Sequence, residues 1–382
     1  MGFGWLNWLL TQSKELGGVK VKRKILAILS IAVAVLAIFA VASSVNAVPR
    51  NVGTVYTIDN AVSNNVLYYS RASGGSITVG GSVSTTGSGT GTALASQGAV
   101  ALTTNGRFLL AVNAGSNQIS VFNVTSNGVP VFISITSSHG TTPISLTVHN
   151  NWVYVLNAGG SGNIAGFTLS TLGALTYITG SNQPLSATSG TSAEQIGFSP
   201  DGKVLVVTEE GTNIIDTYVV GYNGLASAPT TYASVNDGPY GFAFTGANNL
   251  IVSEAANNTL SSYVVSDQGN LRTISGAMPT FGNAPCWVAI DNDGSFAYTS
   301  NAHGGTISIF SISHSGGLNL LSSIAANTTI PTLDLAFSKN SQFLYTLNGG
   351  NITGFQVYND GSLWQVTSVS SVPASASGLA AS

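Results

Sequence analysis

One short hydrophobic pattern recurs seven times along the chain. In each copy, a run of β-branched or aromatic residues ends on an asparagine or an acid, and small residues follow. The copies are Val55–Asp59, Leu109–Asn113, Val153–Asn157, Leu205–Glu209, Leu250–Glu254, Ala297–Asn301 and Leu344–Asn348. Their final polar residues, which we call the anchors, lie 54, 44, 52, 45, 47 and 47 residues apart. A repeat of this length, built from short strands without helices, is typical of β-propeller blades.

The other residues of each repeat predict three further strands around the anchor strand. A strand led by a small residue or proline comes first, as in Pro239–Phe244, and a turn such as Ser199–Gly202 joins it to the anchor strand. Asn-Gly and Asp-Gly pairs supply the positive φ angles of such turns. An alternating third strand, as in Thr306–Phe310, and a weaker outer strand complete the repeat. The pattern predicts an all-β fold of four-stranded blades.

The two ends of the repeat region complement each other. The first repeat begins at its anchor strand and has no first strand, whereas Ser377–Ala381 has the pattern of a first strand with no blade after it. Pairing the two completes seven blades and leaves no open edge in the ring. We therefore expect one domain over residues 48–382, a seven-bladed β-propeller whose C-terminal strand closes blade one.

Residues 1–47 have a different pattern. The basic cluster Lys20–Lys24 precedes the uncharged run Ile25–Ala42, and residues 45–47 match a small-x-small cleavage site. This order predicts an export signal cut after Ala47, and hence a secreted or cell-surface protein. The apolar run is slightly short for a membrane span, so an uncleaved anchor helix over residues 25–42 is the alternative, and it is the only membrane contact expected.

Charge is scarce and its balance is acidic. Charged residues make up 7% of the chain, and the part after Ala47 has six basic and thirteen acidic residues, a formal charge of −7. Without a basic patch, the sequence excludes a nucleic-acid-binding role. The single Cys286 excludes an internal disulfide framework and a multi-cysteine metal site, and we expect it to be a small buried residue.

Four sequons suggest glycosylation of an exported chain. Each has the Asn-x-Thr form that is the acceptor for N-glycans. The acceptor residues are Asn123, Asn257, Asn327 and Asn351. Together with the export signal they are compatible with a glycosylated surface protein.

The Tyr-x-x-Asn anchor strands, the Ser199–Gly202 turn and the blade length resemble those of the seven-bladed lactonase-like propellers. These include 6-phosphogluconolactonases, carboxymuconate-lactonising enzymes and YVTN-repeat surface proteins, and the resemblance covers about Asn51 to Ser382. The resemblance implies a site at the mouth of the central channel, where the enzymes of the family hold an anionic lactone. The residues that hold it are Arg and His at the starts of first strands and a Glu after an anchor Asn. Those positions here are Glu194-Gln195, Tyr240-Gly241, Cys286-Trp287 and Ala255. The resemblance therefore supports the propeller fold but weakens the case for lactonase activity in this chain.

The first-strand starts also name the residues expected at the mouth of the channel. Five of them combine aromatic faces with carboxylates and an amide, which suits a neutral or cationic ligand such as a sugar or an amine. They are Glu194, Gln195, Tyr240, Trp287 and Asp334. The alternative is that they only pack, with water, in a narrow channel.

Other acidic residues and histidines are assigned structural roles. Asp291–Gly294 begins like a calcium loop, but no glutamate completes it, so it is interpreted as a turn. Glu209 and Glu210 are adjacent on a strand and point to opposite faces, so Glu209 is interpreted as an anchor rather than half of a catalytic pair. No two of the four histidines have the spacing of metal ligands; they are His139, His149, His303 and His314. We expect no catalytic residue, metal or cofactor.

These observations lead to two main hypotheses. The first is an exported, non-catalytic propeller that acts as a binding or structural module outside the cell or at its surface, with a protein or glycan partner. The alternative is a lactonase-like hydrolase of a sugar or organic-acid lactone with a rebuilt site; an envelope subunit that docks a redox or adhesive partner is a third option. A deep polar mouth favours catalysis, whereas a plugged mouth favours assembly.

Overall fold

The computed structural model describes residues 51–382, which form β-strands joined by turns and loops, with no helix in that range. The strands pair antiparallel in seven sheets. They are β1 Asn51–Ile58, β2 Asn65–Ala72, β3 Ile77–Ser84, β4 Val100–Leu102, β5 Phe108–Asn113, β6 Gln118–Val124, β7 Pro130–Ser137, β8 Pro143–His149, β9 Trp152–Asn157, β10 Asn163–Leu169, β11 Leu175–Tyr177, β12 Gln183–Pro184, β13 Ala193–Phe198, β14 Val204–Glu209, β15 Ile214–Val219, β16 Thr230–Ala233, β17 Pro239–Phe244, β18 Asn249–Glu254, β19 Thr259–Val265, β20 Leu271–Pro279, β21 Pro285–Ile290, β22 Phe296–Asn301, β23 Thr306–Ile312, β24 Leu318–Asn327, β25 Thr332–Phe337, β26 Phe343–Asn348, β27 Asn351–Val357, β28 Leu363–Ser370 and β29 Ser377–Ala381.

Each sheet is one blade, and the blades form a ring. Blade 1 has the order β29-β1-β2-β3, and the following blades contain β4–β7, β8–β12, β13–β16, β17–β20, β21–β24 and β25–β28. Blade 3 differs because its outer strand is split into β11 and β12. The innermost strand of each blade contacts those of the blades on either side, from β29 through β25 and back to β29. The predicted seven-bladed fold is confirmed.

The C-terminal strand closes the ring as expected from the sequence. β29 pairs antiparallel with β1, with Tyr56 opposite Ala380. The N–H of Thr54 donates to the Ser382 hydroxyl at 2.9 Å, and the Arg71 guanidinium donates to the Ser382 carbonyl at 2.9 Å. Blade 1 therefore combines the first three described strands with the last.

The anchors are buried, and their side chains hydrogen-bond to the strand that follows or to nearby loops. Asn301 donates from Nδ2 to the hydroxyls of Thr306 at 2.9 Å and Ser308 at 2.8 Å. A glycine packs against the anchor: a Cβ on Gly282 would overlap the Asn301 side chain. Gly87 and Gly140 stand in the same relation to their anchors, Asn113 and Asn157. The anchor asparagine and the glycine before its blade thus form one packing unit, in which only glycine leaves the necessary space.

Tyrosines in the anchor strands join neighbouring blades. In four blades, the residue three positions before the anchor is a buried tyrosine whose hydroxyl donates to a glycine carbonyl in a turn of the next blade. The pairs are Tyr56–Gly128 at 2.7 Å, Tyr154–Gly224 at 2.7 Å, Tyr298–Gly361 at 2.8 Å and Tyr345–Gly75 at 2.7 Å. The repeated tyrosine is therefore a hydrogen-bonding element between blades as well as a hydrophobic core residue.

The export signal and the anchor helix predicted within residues 1–47 lie outside the described residues. Between residues 51 and 382, the structure contains no helix with the length and hydrophobicity needed to cross a membrane.

Candidate functional site at the channel mouth

The predicted ligand-binding residues lie near the start of the innermost strands, where the strand pairing is irregular. The register between innermost and anchor strands shifts at Glu194, at Tyr240 and at Asp334. Such bulges turn a side chain out of the regular alternation of a strand. The irregular backbone brings side chains from separate blades together inside the ring.

Three of the five residues form one buried cluster. The rings of Tyr240 and Trp287 pack edge to face with centroids 5.2 Å apart, and the Tyr240 phenol lies beside the Glu194 carboxyl. Their relative exposures are only 5% for Glu194, 6% for Tyr240 and 3% for Trp287. Cys286 packs in the same cluster, and burial raises the pKa of its thiol, as fits the small buried residue expected. The structure thus assembles these residues but buries them, and their ligand-binding role stays a prediction.

The Glu194 carboxyl is uncharged at neutral pH. Burial, followed by repulsion from Glu210, raises its pKa to about 9, and the hydrogen bond from Tyr240 opposes this shift in part. The Glu194 Oε2 atom has no hydrogen-bond partner among the described residues. A protonated carboxyl of this kind is a hydrogen-bond donor and a general acid toward any molecule that reaches it. Whether Glu194 can act as a general acid therefore depends on whether another molecule can reach it.

Gln195 and Asp334 line a cavity of about 260 Å³ inside the ring, apart from the cluster. The Gln195 amide donates to the Phe242 carbonyl at 3.0 Å and accepts the Phe242 N–H at 2.7 Å. Asp334 accepts the N–H of Leu335 at 2.8 Å and that of Leu379 at 2.9 Å. Burial raises the pKa of Asp334 to about 7, and its backbone donors oppose the rise. Both side chains join neighbouring innermost strands.

The mouth is closed by Leu94–Gly98, a segment that we call the plug. Within it, the Gln97 amide donates to the Val288 carbonyl at 2.8 Å and accepts the Val288 N–H at 3.1 Å. The Trp287 indole N–H donates to the Ser96 carbonyl at 3.0 Å. The plug leads into blade 2, whereas Val288 and Trp287 belong to blade 6, and these blades are not neighbours in the ring. The bonds therefore cross the interior of the propeller.

Further hydrogen bonds fix the plug to three other blades. The Ser96 hydroxyl donates to the Ile144 carbonyl of blade 3 at 2.8 Å, and the Gln97 N–H donates to the Glu194 carbonyl of blade 4 at 3.3 Å. The Leu94 N–H donates to the Ser377 hydroxyl of blade 1 at 2.8 Å. The low exposure of the Glu194 cluster follows from this cover.

The described basic residues lie away from the cluster. Arg71 binds the Ser382 carbonyl, Lys203 pairs with Asp267, and the others are in turns or an outer strand. These others are Arg107, Arg272 and Lys339. Without a cation, the buried site lacks the charge-assisted contacts that hold an anionic substrate or a developing oxyanion.

The acidic anchors have structural partners. Glu209 accepts the Ser186 N–H at 2.9 Å and the Thr212 hydroxyl at 2.6 Å. Glu254 accepts the Asn236 N–H at 3.0 Å and hydroxyls around it. The anchor role predicted for Glu209 agrees with these contacts, since the carboxylate fastens a loop as the anchor asparagines do.

Other sequence candidates occupy turns and surface positions. Asp291 accepts the N–H groups of Ser295 at 2.8 Å and Phe296 at 3.0 Å, which is the geometry of the expected turn. No cluster of potential metal ligands occurs between residues 51 and 382. Among the sequon asparagines, Asn257 and Asn327 are exposed, whereas Asn123 and Asn351 are half-buried. Their glycosylation remains a prediction.

Sequence reasoning missed the plug. After Leu94 its residues are small or polar, and it follows a Ser-, Thr- and Gly-rich stretch, residues 85–93, that shows no strand pattern. One signal was present: the 54-residue spacing between the first two anchors is the longest of the six. The additional length lies in the connection between blades 1 and 2, which carries the plug.

Comparisons with known proteins agree with the fold. The sequence model of the family described as lactonase, 7-bladed β-propeller, matches residues 49–181 and 251–333. A putative 6-phosphogluconolactonase from Bacteroides fragilis is 17% identical, with a TM-score of 0.67 over 88% of this chain and 99% of its own. The periplasmic gluconolactonase of Pseudomonas aeruginosa is 16% identical, with a TM-score of 0.65 over 85% and 98%. A functionally unknown protein from Desulfotomaculum acetoxidans is 14% identical, with a TM-score of 0.68 over 86% and 98%. No curated protein matches in sequence.

Proposed function

We propose a function for this chain from the premise that it belongs to the seven-bladed lactonase β-propeller family. The proposed function is that of an exported, non-catalytic propeller, a binding or structural module at the cell surface or outside the cell. The observation that carries this proposal is the plug. It fills the mouth at which the resembling enzymes hold their substrate, and Gln97 and Trp287 fasten it across the ring.

The electrostatics of the mouth support the same proposal. Under the plug lie Glu194, Tyr240 and Trp287, at positions where the resembling enzymes have Arg and His. A single lost charge-assisted hydrogen bond costs about 1.5–3 kcal/mol, roughly ten- to a hundredfold in binding. Replacing all the cations, with an acid at one of their places, makes an anionic lactone a poor ligand.

A lactone hydrolase is the second candidate, and one observation favours it. Glu194 is a protonated carboxyl with an unpartnered oxygen beside a phenol, which is a competent general acid if the plug moves aside. This candidate requires substrate to displace the hydrogen bonds of Ser96 and Gln97.

A lactone assay separates the two candidates. The full chain is incubated with 6-phosphogluconolactone and glucono-1,5-lactone, and hydrolysis is followed by proton release. We expect no rate above spontaneous hydrolysis. As a matched test of the plug, Gln97→Ala loosens the cover while leaving Glu194 in place, and we expect that it is equally inactive. Hydrolysis well above the spontaneous rate that is lost in Glu194→Ala would establish the hydrolase instead.

Export is part of the proposal and has its own measurement. The order of basic, apolar and small residues before Val48 supports cleavage after Ala47. We expect the intact mass of the native protein to begin at Val48. A mass that retains residues 25–42, found in membrane fractions, would support the anchored form.

A further inference from the structure

Two exposed aromatic side chains line a groove at the opposite end of the strands from the plug. Trp364 is 67% exposed and Tyr358 is 46% exposed. The groove has a volume of about 930 Å³ and lies between blade 7 and the turn that joins β2 to β3 in blade 1. Exposed large aromatics that share a concave surface point to a binding site more strongly than scattered ones do.

The strand register puts the two aromatics on one face. Trp364 pairs directly with Gln356 across β27 and β28. Tyr358 follows Gln356 by two residues, so it emerges on the same side as Gln356 and Trp364. In blade 1, the turn at Ser73 and Gly74 forms the facing wall. The arrangement is built on strands and on a turn that Tyr345 fastens through Gly75, so the groove is pre-formed.

The remaining lining of the groove is polar but almost uncharged. Besides Trp364 and Tyr358, six of the nine other lining residues carry a hydroxyl, an amide or a carboxylate: Ser73, Gln342, Gln356, Asn359, Asp360 and Ser362. Only Asp360 is ionic, and hydrogen bonds from Ser362 lower its pKa. An amide offers both a donor and an acceptor, as a sugar hydroxyl requires. An aromatic face fits the apolar C–H face of a pyranose ring, so the combination suits an uncharged polyhydroxylated ligand.

We propose that the groove formed by Trp364, Tyr358 and their amide neighbours binds a neutral carbohydrate chain. This inference rests on the proposed function, because it names the partner of a non-catalytic binding module. The ligand need carry no charge, since the groove offers no cation and the part of the chain after Ala47 has a formal charge of −7. Anionic glycans are disfavoured for the same reason.

A second groove at the same end of the propeller, formed by blades 3, 4 and 5, has a different combination of side chains. That groove includes Trp152 and Tyr222, but the ion pair between Lys203 and Asp267 lies in its wall. Tyr222 is fully exposed and occupies a turn equivalent to the one after β27. It therefore provides a matched control for an exposed aromatic outside the proposed site.

Calorimetric titration of the full chain tests the proposal. The probes are cellohexaose, mannohexaose and N-acetylchitohexaose, with a heparin hexasaccharide as the anionic comparison. We expect at least one neutral hexasaccharide to bind, and Trp364→Ala and Tyr358→Ala each to weaken that binding by about tenfold or more. Tyr222→Ala should bind as the unmodified protein does. All three side chains are exposed, so the variants should fold.

Two outcomes overturn the inference: none of the neutral hexasaccharides binds, or binding persists unchanged in Trp364→Ala. If none binds and Trp364→Ala also changes the sedimentation of the protein, the groove is assigned to contact with a second copy. Neither outcome bears on the absence of catalysis, which the lactone assay decides separately.

Discussion

Three buried acids show how single residues adapt to a core with few charges. Burial is the first cause that raises the pKa of each: Glu194 to about 9, Asp334 to about 7, and Asp216 well above its usual value. Asp216 also lies beside the Glu209 anchor, at a position where blades 2 and 6 have a serine. Since two buried carboxylates in contact cannot both ionise easily, burial and the neighbouring Glu209 together favour the protonated form of Asp216.

The raised pKa values predict that stability falls with rising pH. In the unfolded chain Glu194 ionises near pH 4, whereas in the folded protein it keeps its proton until about pH 9, so the folded state binds more protons between these values. One such group lowers the free energy of unfolding by at most about 1.4 kcal/mol per pH unit. As the pH rises from 5 to 8, we expect the free energy of unfolding of Glu194→Gln to increase by about 2–4 kcal/mol relative to that of the unmodified protein.

Urea unfolding of both proteins at pH 5, 6, 7 and 8 measures this gain. Parallel stability curves for the two proteins across that range would contradict the assignment of a protonated Glu194.

At the scale of the strands, the repeated tyrosine links four of the seven blades to the blade that follows. Tyr298 is completely buried, and its hydroxyl reaches the Gly361 carbonyl of the following blade at 2.8 Å. Burial raises the pKa of this phenol, which keeps it a hydrogen-bond donor under all ordinary conditions. The blades without the tyrosine have aliphatic residues at the same position, namely Leu110, Val206 and Ile251, so packing alone serves there.

Tyr298→Phe should destabilise the protein by about 1–3 kcal/mol. The substitution keeps the ring in the core but leaves the Gly361 carbonyl without its donor. Tyr222→Phe is the matched control, because Tyr222 is fully exposed and the loss of its hydroxyl should leave stability unchanged. Thermal unfolding of the two variants beside the unmodified protein measures the difference, and equal midpoints for all three would refute the role of this bond.

The sequence predicted the strands much better than the site. Anchors such as Asn301 repeat because each blade has the same packing problem, so pattern alone fixes the blade count and the closing strand. The residues at the mouth were located from the same pattern. The pattern left open whether these residues bind a ligand or only pack, because their burial depends on Gln97, whose partner Val288 lies 191 residues away. Trp364 has the sequence pattern of an outer strand, and only the turn of blade 1 opposite it makes a groove.

At the scale of the whole molecule, the ring depends on β29. Its residues Leu379 and Ala380 are buried, and Leu379 donates its N–H to Asp334 of blade 7 while β29 pairs with β1. The strand therefore fastens blade 1 to blade 7 as well as completing blade 1. A propeller has no free edge only while such a strand is in place.

Deletion of Pro373–Ser382 should lower the free energy of unfolding by at least about 3 kcal/mol. The deletion exposes the inner edge of β1 and removes the buried Leu379 and Ala376. Leu172→Ala is the control, because Leu172 is 78% exposed in a turn and should contribute little. Chemical unfolding reports both values, and unchanged stability after the deletion would show that β29 does not hold the ring closed.

The pairing of β29 with β1 also sets the timing of folding during synthesis. Thr54 and Ser382, which hydrogen-bond to each other, are 328 residues apart in the chain. A ribosome that adds about 5–20 residues per second needs roughly 16–66 s to span that distance. Throughout this interval one edge of β1 stays unpaired while the strands of the later blades are synthesised. The ring is completed only when its final strand arrives, and a chain released early would carry six complete blades and one open blade.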